Sequence, residues 1–98
     1  MTWEDVRDGD LPLRRADGVL DADLHGETLM MSVEQGAYFA IAGAGTRIWS
    51  ALAEPRRPSE IVAVLLAEYD VSPERCRSEA WGFLETLLAR RLIEPAEK

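Results

Sequence analysis

The stretch from Gly36 to Trp49, Gly-Ala-Tyr-Phe-Ala-Ile-Ala-Gly-Ala-Gly-Thr-Arg-Ile-Trp, reads as a short strand that turns directly into an amphipathic helix. Tyr38 to Ile41 supply the strand. Ile48, Trp49 and Leu52 mark the buried stripe of a helix from about Ala44 to Ala53. Gly43, Ala44 and Gly45 leave only a tight turn between the two. A joint of this kind needs a sheet partner on one side and helical cover on the other.

The chain before the joint supplies the partner. Val19 to Leu24 alternates Val19, Asp21 and Asp23 against Leu20, Ala22 and Leu24, as a half-buried strand does. His25-Gly26 is a turn signal. Thr28 to Val33 follows, with Leu29, Met31 and Val33 on one face and Thr28, Met30 and Ser32 on the other. Glu34-Gln35-Gly36 supplies the next turn. Tyr38 to Ile41 is then the third strand, and chain order puts it at the edge of the sheet with backbone donors and acceptors unpaired.

Helical cover follows. Glu54-Pro55-Arg56-Arg57-Pro58 breaks the first helix. Ser59 is the expected N-cap of a second helix, whose apolar face carries Ile61, Val62, Leu65, Leu66 and Tyr69. Ser72 as N-cap, Pro73 at the first helical position and Glu74 at the positive helix end begin a third helix that runs to about Arg90. Its core stripe is Cys76, Ala80, Phe83, Leu84, Leu87 and Leu88, with Arg77, Trp81, Leu84 and Leu88 as the neighbouring ridge. Three strands followed by three helices define an α+β domain of winged-helix type, a three-stranded antiparallel sheet and three helices over residues 13–94. Residues 1–12 are acidic and rich in turn formers, so a flexible arm is expected there, with Trp3 and Leu11 as candidate anchors. Residues 95–98 are expected to be a tail.

Charge narrows the function. The net charge is −7, from 18 acidic and 11 basic residues, and eight of the acids fall in the first 27 residues. That end repels a phosphate backbone, so nucleic-acid binding is disfavoured and a basic peptide suits the field better. No run approaches the ~20 apolar residues of a membrane span, and the acidic N-terminus lacks the pattern of a signal peptide. No membrane partner is expected. Cys76 is the single cysteine, so no internal disulfide forms and cytoplasmic residence is the default expectation.

Signatures of catalysis are missing. His25 and Cys76 are the sole His and Cys, without CxxC or HxxxH spacing, and they read as an exposed turn residue and a small core residue. The carboxylates are scattered over turns and exposed helix faces, and no apolar framing singles out a pair for acid–base work. Gly43-Ala44-Gly45 fits neither GxGxxG nor GxxxxGK[ST], and it does not sit in a βαβ unit. The expectation is a binding protein with no enzymatic activity, no metal and no cofactor.

Four motifs in series carry a resemblance. Met30-Met31-Ser32-Val33-Glu34-Gln35-Gly36-Ala37-Tyr38-Phe39-Ala40-Ile41 resembles a "hydrophobic pair, turn, Gly-x-Tyr-Phe-x-Leu" segment, and Gly45-Thr46-Arg47-Ile48-Trp49-Ser50-Ala51-Leu52 a "Gly-x-x-Ile-Trp-x-x-Leu" helix. Glu68-Tyr69-Asp70-Val71-Ser72-Pro73-Glu74 is similar to a "Tyr-Asp-Val-acidic" joint, and Phe83-Leu84-Glu85-Thr86-Leu87-Leu88 with Leu92-Ile93 to a closing "Phe-Leu-x-x-Leu-Leu…Leu-Ile". In this order, over Val19 to Ile93, they resemble the PqqD-like family, the RiPP precursor recognition elements. The wording is most like the free-standing leader-binding proteins of lasso-peptide pathways.

The resemblance implies a non-catalytic domain that binds the leader segment of a ribosomally synthesised precursor peptide. It would deliver that peptide to maturation enzymes, here a leader peptidase and a cyclase. In the family the leader adds as a strand to the third strand and lies against the third helix. The resemblance therefore implies that Tyr38, Phe39, Ala40 and Ile41 form the pairing edge. Arg77, Ala80, Trp81 and Leu84 would line the helix side, and Met31 and Val33 would contribute to the floor. Phe39, Ile41, Ala80 and Leu84 read equally well as core residues. Ala42 stands where the family usually has Asn, and Arg91 where it usually has Gly after the third helix, which leaves a positive-φ C-cap in doubt. The runner-up is a pyrroloquinoline-quinone precursor-peptide chaperone working with a radical-SAM enzyme. The reading from a different class is a winged-helix DNA-binding regulator, for which the apolar and acidic neighbours of Arg75 and Arg77 are ill suited.

Overall fold

The computed structural model describes residues 2–96. In chain order they form α1 (Trp3–Gly9), β1 (Leu13–Arg15), β2 (Val19–Leu24), β3 (Glu27–Ser32), β4 (Ala37–Ala42), α2 (Ala44–Ala51), α3 (Pro58–Glu68), α4 (Pro73–Ala89) and β5 (Ile93–Pro95). The expected winged-helix-like α+β body is present, with β2, β3 and β4 in an antiparallel sheet ahead of α2, α3 and α4.

His25 and Gly26 both take positive φ, +51° and +86°, so a two-residue primed turn closes the first hairpin. Such a turn makes Leu24 and Glu27 a hydrogen-bonded pair, and the bond from Val33 N–H to the Gly18 carbonyl fixes the same phase at the other end. Glu27, Leu29 and Met31 therefore direct their backbone groups toward β2. Thr28, Met30 and Ser32 direct theirs toward Ile41, Phe39 and Ala37 of β4. By the same alternation, the N–H and C=O groups of Tyr38, Ala40 and Ala42 point away from the sheet, into the open edge.

The buried face of the sheet is the less apolar one. Thr28, Met30 and Ser32 lie against the helices, together with the half-buried Phe39 and Ile41. Met31, expected beneath the binding site, shares the opposite face with Leu20 and Tyr38, its partners in register. Val33 is exposed in the turn before β4. The physical cause of this orientation sits on β2. The buried Trp49 indole N–H donates to Asp21 Oδ2 at 2.8 Å, and Arg15 stacks over the Trp49 ring at 4.4 Å while donating to the Trp49 carbonyl at 2.5 Å. Asp21 must face inward to satisfy the indole, so Leu20, Ala22 and Leu24 face outward. Replacing Asp21 with Ala strands a buried donor and is expected to cost about 1–3 kcal/mol in urea unfolding. Asn, which keeps an acceptor, should restore part of it.

Two helix ends depart from expectation, each for a visible reason. α3 begins at Pro58 with Arg57 as its N-cap, and Ser59 lies inside the first turn. Ser59 instead donates from its backbone N–H and its hydroxyl to the Asp10 carboxylate, at 3.0 and 2.6 Å. Ser72 does cap α4, accepting from Arg75 N–H at 3.2 Å. At the other end of α4, Arg91 holds φ at +60° in the position where glycine is usual. Leu92 N–H bonds to the Leu87 carbonyl and Arg91 N–H to the Leu88 carbonyl, the paired bonds of a Schellman motif. Arg91→Gly removes the left-handed penalty but adds freedom to the unfolded chain, so a net gain of roughly 0.5–1 kcal/mol is expected in thermal melts.

The expected flexible arm is corrected to an ordered helix. Thr2 and Asp5 form a reciprocal capping box on α1, with bonds of 3.3 and 3.1 Å. Val6 is fully buried in the main core, and Trp3 packs edge-on against Trp81. The next segment, β1, pairs with β5, bringing Leu13 opposite Pro95 and Arg15 opposite Ile93. Strands of three residues are too short to show alternation, so neither was legible. Of the expected tail, Pro95 closes β5 and Ala96 N–H bonds to the Pro12 carbonyl at 2.8 Å. Glu97 and Lys98 lie outside the described residues.

Candidate functional site

β4 has no strand beyond it, so its outward backbone groups at Tyr38, Ala40 and Ala42 have no ladder partner among the described residues. Its inward side chains, Phe39 and Ile41, face α4 across a gap. Met30 forms the floor of this gap, and Phe83, Thr86, Leu87 and Arg90 form the helical wall, around a cavity of about 300 Å³. Phe83 also borders a second apolar hollow of about 350 Å³ toward the other end of β4, where Ala42, Ile48, Tyr69, Cys76 and Ala80 line it. Phe83 lines both hollows and so marks the middle of an apolar groove between β4 and α4. Gly45 lets the edge of that ring approach the β4–α2 turn closely, since a Cβ there would sit 3.0 Å from Phe83 Cζ.

The ends of the groove differ in charge. Arg90 lies 5.7 Å over the Phe39 ring, and its carbonyl accepts from Gln35 Nε2 at 2.7 Å, which ties the β3–β4 turn to the end of α4. Glu79 stands at the opposite end, paired with Arg75 one helical turn back. Below it Arg47 grips Glu68 through both carboxylate oxygens, at 2.9 and 3.0 Å, and joins α2 to α3. These hydrogen bonds hold the Glu68 carboxyl below its ordinary pKa. A lowered carboxylate contributes stability in full above its unfolded-state pKa and loses it as pH falls through the folded-state value. Glu68→Gln is therefore expected to lower the urea midpoint at neutral pH and to match the parent in acid.

The residues expected on the helix side do not all reach this groove. Ala80 is buried and lines the upper hollow. Leu84 is fully buried in the main core and lines neither hollow. Arg77 and Trp81 lie on the far side of α4, where Trp81 meets Trp3 of α1 with ring centroids 6.3 Å apart and Arg77 covers its ring at 5.8 Å. Helical geometry accounts for the split. At ~100° per residue, Trp81 is nearly opposite Phe83, while Cys76, Glu79, Phe83, Leu87 and Arg90 share one face. Met31 and Val33 are not at the floor, and Met30 takes that place. Phe39, Ala40 and Ile41 do meet the groove, and Tyr38 projects to the other side of the sheet. The wall residues Phe83, Thr86, Leu87 and Arg90 were missed. Their i, i+3, i+4, i+7 spacing was the signal available.

Among the described residues no group of three His, Cys, Asp or Glu side chains is placed to hold a metal ion, and no helix is long and apolar enough to cross a membrane. A winged-helix-like body with an open strand beside an apolar groove has the architecture of a RiPP precursor recognition element. Residues 27–93 match the family model described as coenzyme PQQ synthesis protein D (PqqD), and the chain belongs to that family. Two solved structures are similar. TbiB1 in complex with the TbiA(β) leader peptide shares 33% identity over 87% of this chain and 99% of that one, with a TM-score of 0.79. Lasso peptide synthetase B1 complexed with its leader peptide shares the fold at 16% identity, with a TM-score of 0.74 over 85% and 98% of the two chains. No curated protein sequence matches the chain.

Proposed function

We propose that this protein binds the leader segment of a ribosomally synthesised precursor peptide as an added strand on β4, with side chains seated in the β4–α4 groove. It acts without catalysis, delivering the peptide to a leader peptidase and a cyclase of a lasso-peptide pathway. One observation carries the reading: outward-facing backbone groups at Tyr38, Ala40 and Ala42 run beside an apolar groove centred on Phe83. The backbone groups hold any extended peptide, and the groove selects among them by alternate side chains. The likeness to TbiB1 in complex with a leader peptide supports leader recognition, and the wording of the Met30–Ile41 and Gly45–Leu52 motifs favours the lasso branch over the quinone-cofactor branch. DNA binding is the weaker alternative, because Arg75 is already paired with Glu79, Arg77 covers Trp81, and the net charge is −7.

The test is titration with a synthetic leader peptide from the cognate precursor, followed by amide chemical shifts. Saturable binding in the micromolar range or tighter is expected, with the largest shifts in β4 and along the Cys76–Arg90 face of α4. Shifts centred on α1 and Trp81, or an absence of binding beside salt-sensitive DNA binding, would overturn the reading.

A further inference from the structure

We propose that the outer face of the β2–β3–β4 sheet is a second binding surface, which takes a folded protein presenting an apolar patch rimmed by Arg and Lys. Given the leader-binding reading above, on which this assignment of the partner rests, that protein is the enzyme that receives the leader.

The face is apolar and bare. Leu20, Leu24 and Tyr38 are 57%, 50% and 68% exposed, and the half-buried Leu29 and Met31 join them into one patch. An antiparallel sheet with one face on a core normally turns polar residues to water on the other. β2 does the reverse, with Asp21 directed at the helices and its leucines at solvent. A slip of one residue would bury those leucines, but the bonds from Trp49 and Arg15 to Asp21 hold the register against it. The exposure is therefore built into the packing, and a contiguous patch of this kind marks an interaction site.

Charge identifies the occupant. Between Arg15 and Arg47 the chain carries Asp17, Asp21, Asp23, Glu27 and Glu34 and neither Lys nor Arg. Asp17 and Asp21 are paired with Arg14 and Arg15. Asp23 shares the inward face of β2 with Asp21, and Glu34 borders Leu88 and Arg91. That leaves Glu27, opposite Leu24, as the carboxylate on the outer face without an ion-pair partner among the described residues. A second copy of the chain brings no Lys or Arg from this stretch to meet Glu27, whereas a basic rim complements it. Position fits the delivery role. A strand added to β4 extends this same face, and its alternate side chains emerge beside Tyr38 and Ala40. A partner seated here touches the carrier and the bound peptide together.

The experiment compares the parent with Leu20→Gln/Leu24→Gln and with Glu27→Lys. Leader affinity is read by fluorescence anisotropy, association with the purified leader peptidase and, separately, the cyclase by calorimetry, and mass by sedimentation. Both variants should bind leader within about twofold of the parent. The double variant should lose at least tenfold in association with one of the two enzymes and in the rate of its step on the precursor. Glu27→Lys should weaken the same association, and raised salt should weaken that of the parent. Unchanged association in the double variant, no association of the parent with either enzyme, or a parent dimer that the double variant splits into monomers would each overturn the proposal. Failure of the parent to bind leader would instead strike the leader-binding reading, while association with the enzyme through Leu20 and Leu24 would still support the surface.

Discussion

Replacing Ala40 with proline is expected to weaken leader binding at least tenfold, about 1.4 kcal/mol, while the melting temperature changes little. The two halves of that expectation come from one geometric fact. Ala40 lies opposite Leu29 in a pair whose backbone groups do not bond each other, so its N–H faces the open edge and carries no ladder bond. Proline is tolerated on an edge strand with the missing donor toward solvent, and the residue before it, Phe39, is already extended. An incoming strand, however, loses a donor at the centre of its register and meets the pyrrolidine ring. Ile41→Pro makes the contrast, since its N–H bonds toward Thr28 and its loss should unfold the sheet. Anisotropy of a labelled leader and circular-dichroism melts separate the cases. Full affinity in a folded Ala40→Pro variant would exclude strand addition at β4.

The same alternation explains what could and could not be read from the sequence. Strand positions were legible because His25-Gly26 and Gly36 punctuate three short extended runs, and α4 was legible through Ser72-Pro73-Glu74. Which face of the sheet is buried was not. β2 alternates equally well either way, and the choice is made by a bond between Asp21 and Trp49, two residues on different elements. The Schellman end of α4 forms despite Arg91, because two backbone bonds outweigh the cost of one left-handed residue. The groove was half legible. Its strand side, Phe39 to Ile41, follows from chain order, but its helical wall depends on which neighbour each side of α4 meets. A tryptophan off the core stripe, as Trp81 is, suggests a contact surface. That contact is made inside the molecule, by α1, a segment whose polar composition gave no hint of a helix.

Trp81→Ala is accordingly expected to cost stability rather than affinity. The indole stands edge-on to Trp3 at 70°, and α1, which carries Trp3, anchors the buried Val6. Truncating a packed tryptophan removes about 3 kcal/mol or more, although the unpaired buried Nε1 of Trp81 means that deletion also relieves a desolvation cost. A loss of about 2–3 kcal/mol in urea unfolding is the net expectation, with increased amide exchange across α1. Trp3→Ala should fall short of it, because Trp3 lies at the outer end of the contact, and the double variant should reveal a coupling of about 0.5–1.5 kcal/mol between the rings. Leader affinity, measured well below the melting transition, should stay within about threefold, since Trp81 faces away from Phe83 and Phe39. Phe83→Ala should give the opposite pattern, a large fall in affinity with a smaller loss of stability, because that ring is only partly buried and sits at the middle of the groove. A tenfold affinity loss in a folded Trp81→Ala variant, with Phe83→Ala silent, would move the binding wall to the Arg77–Trp81 side of α4.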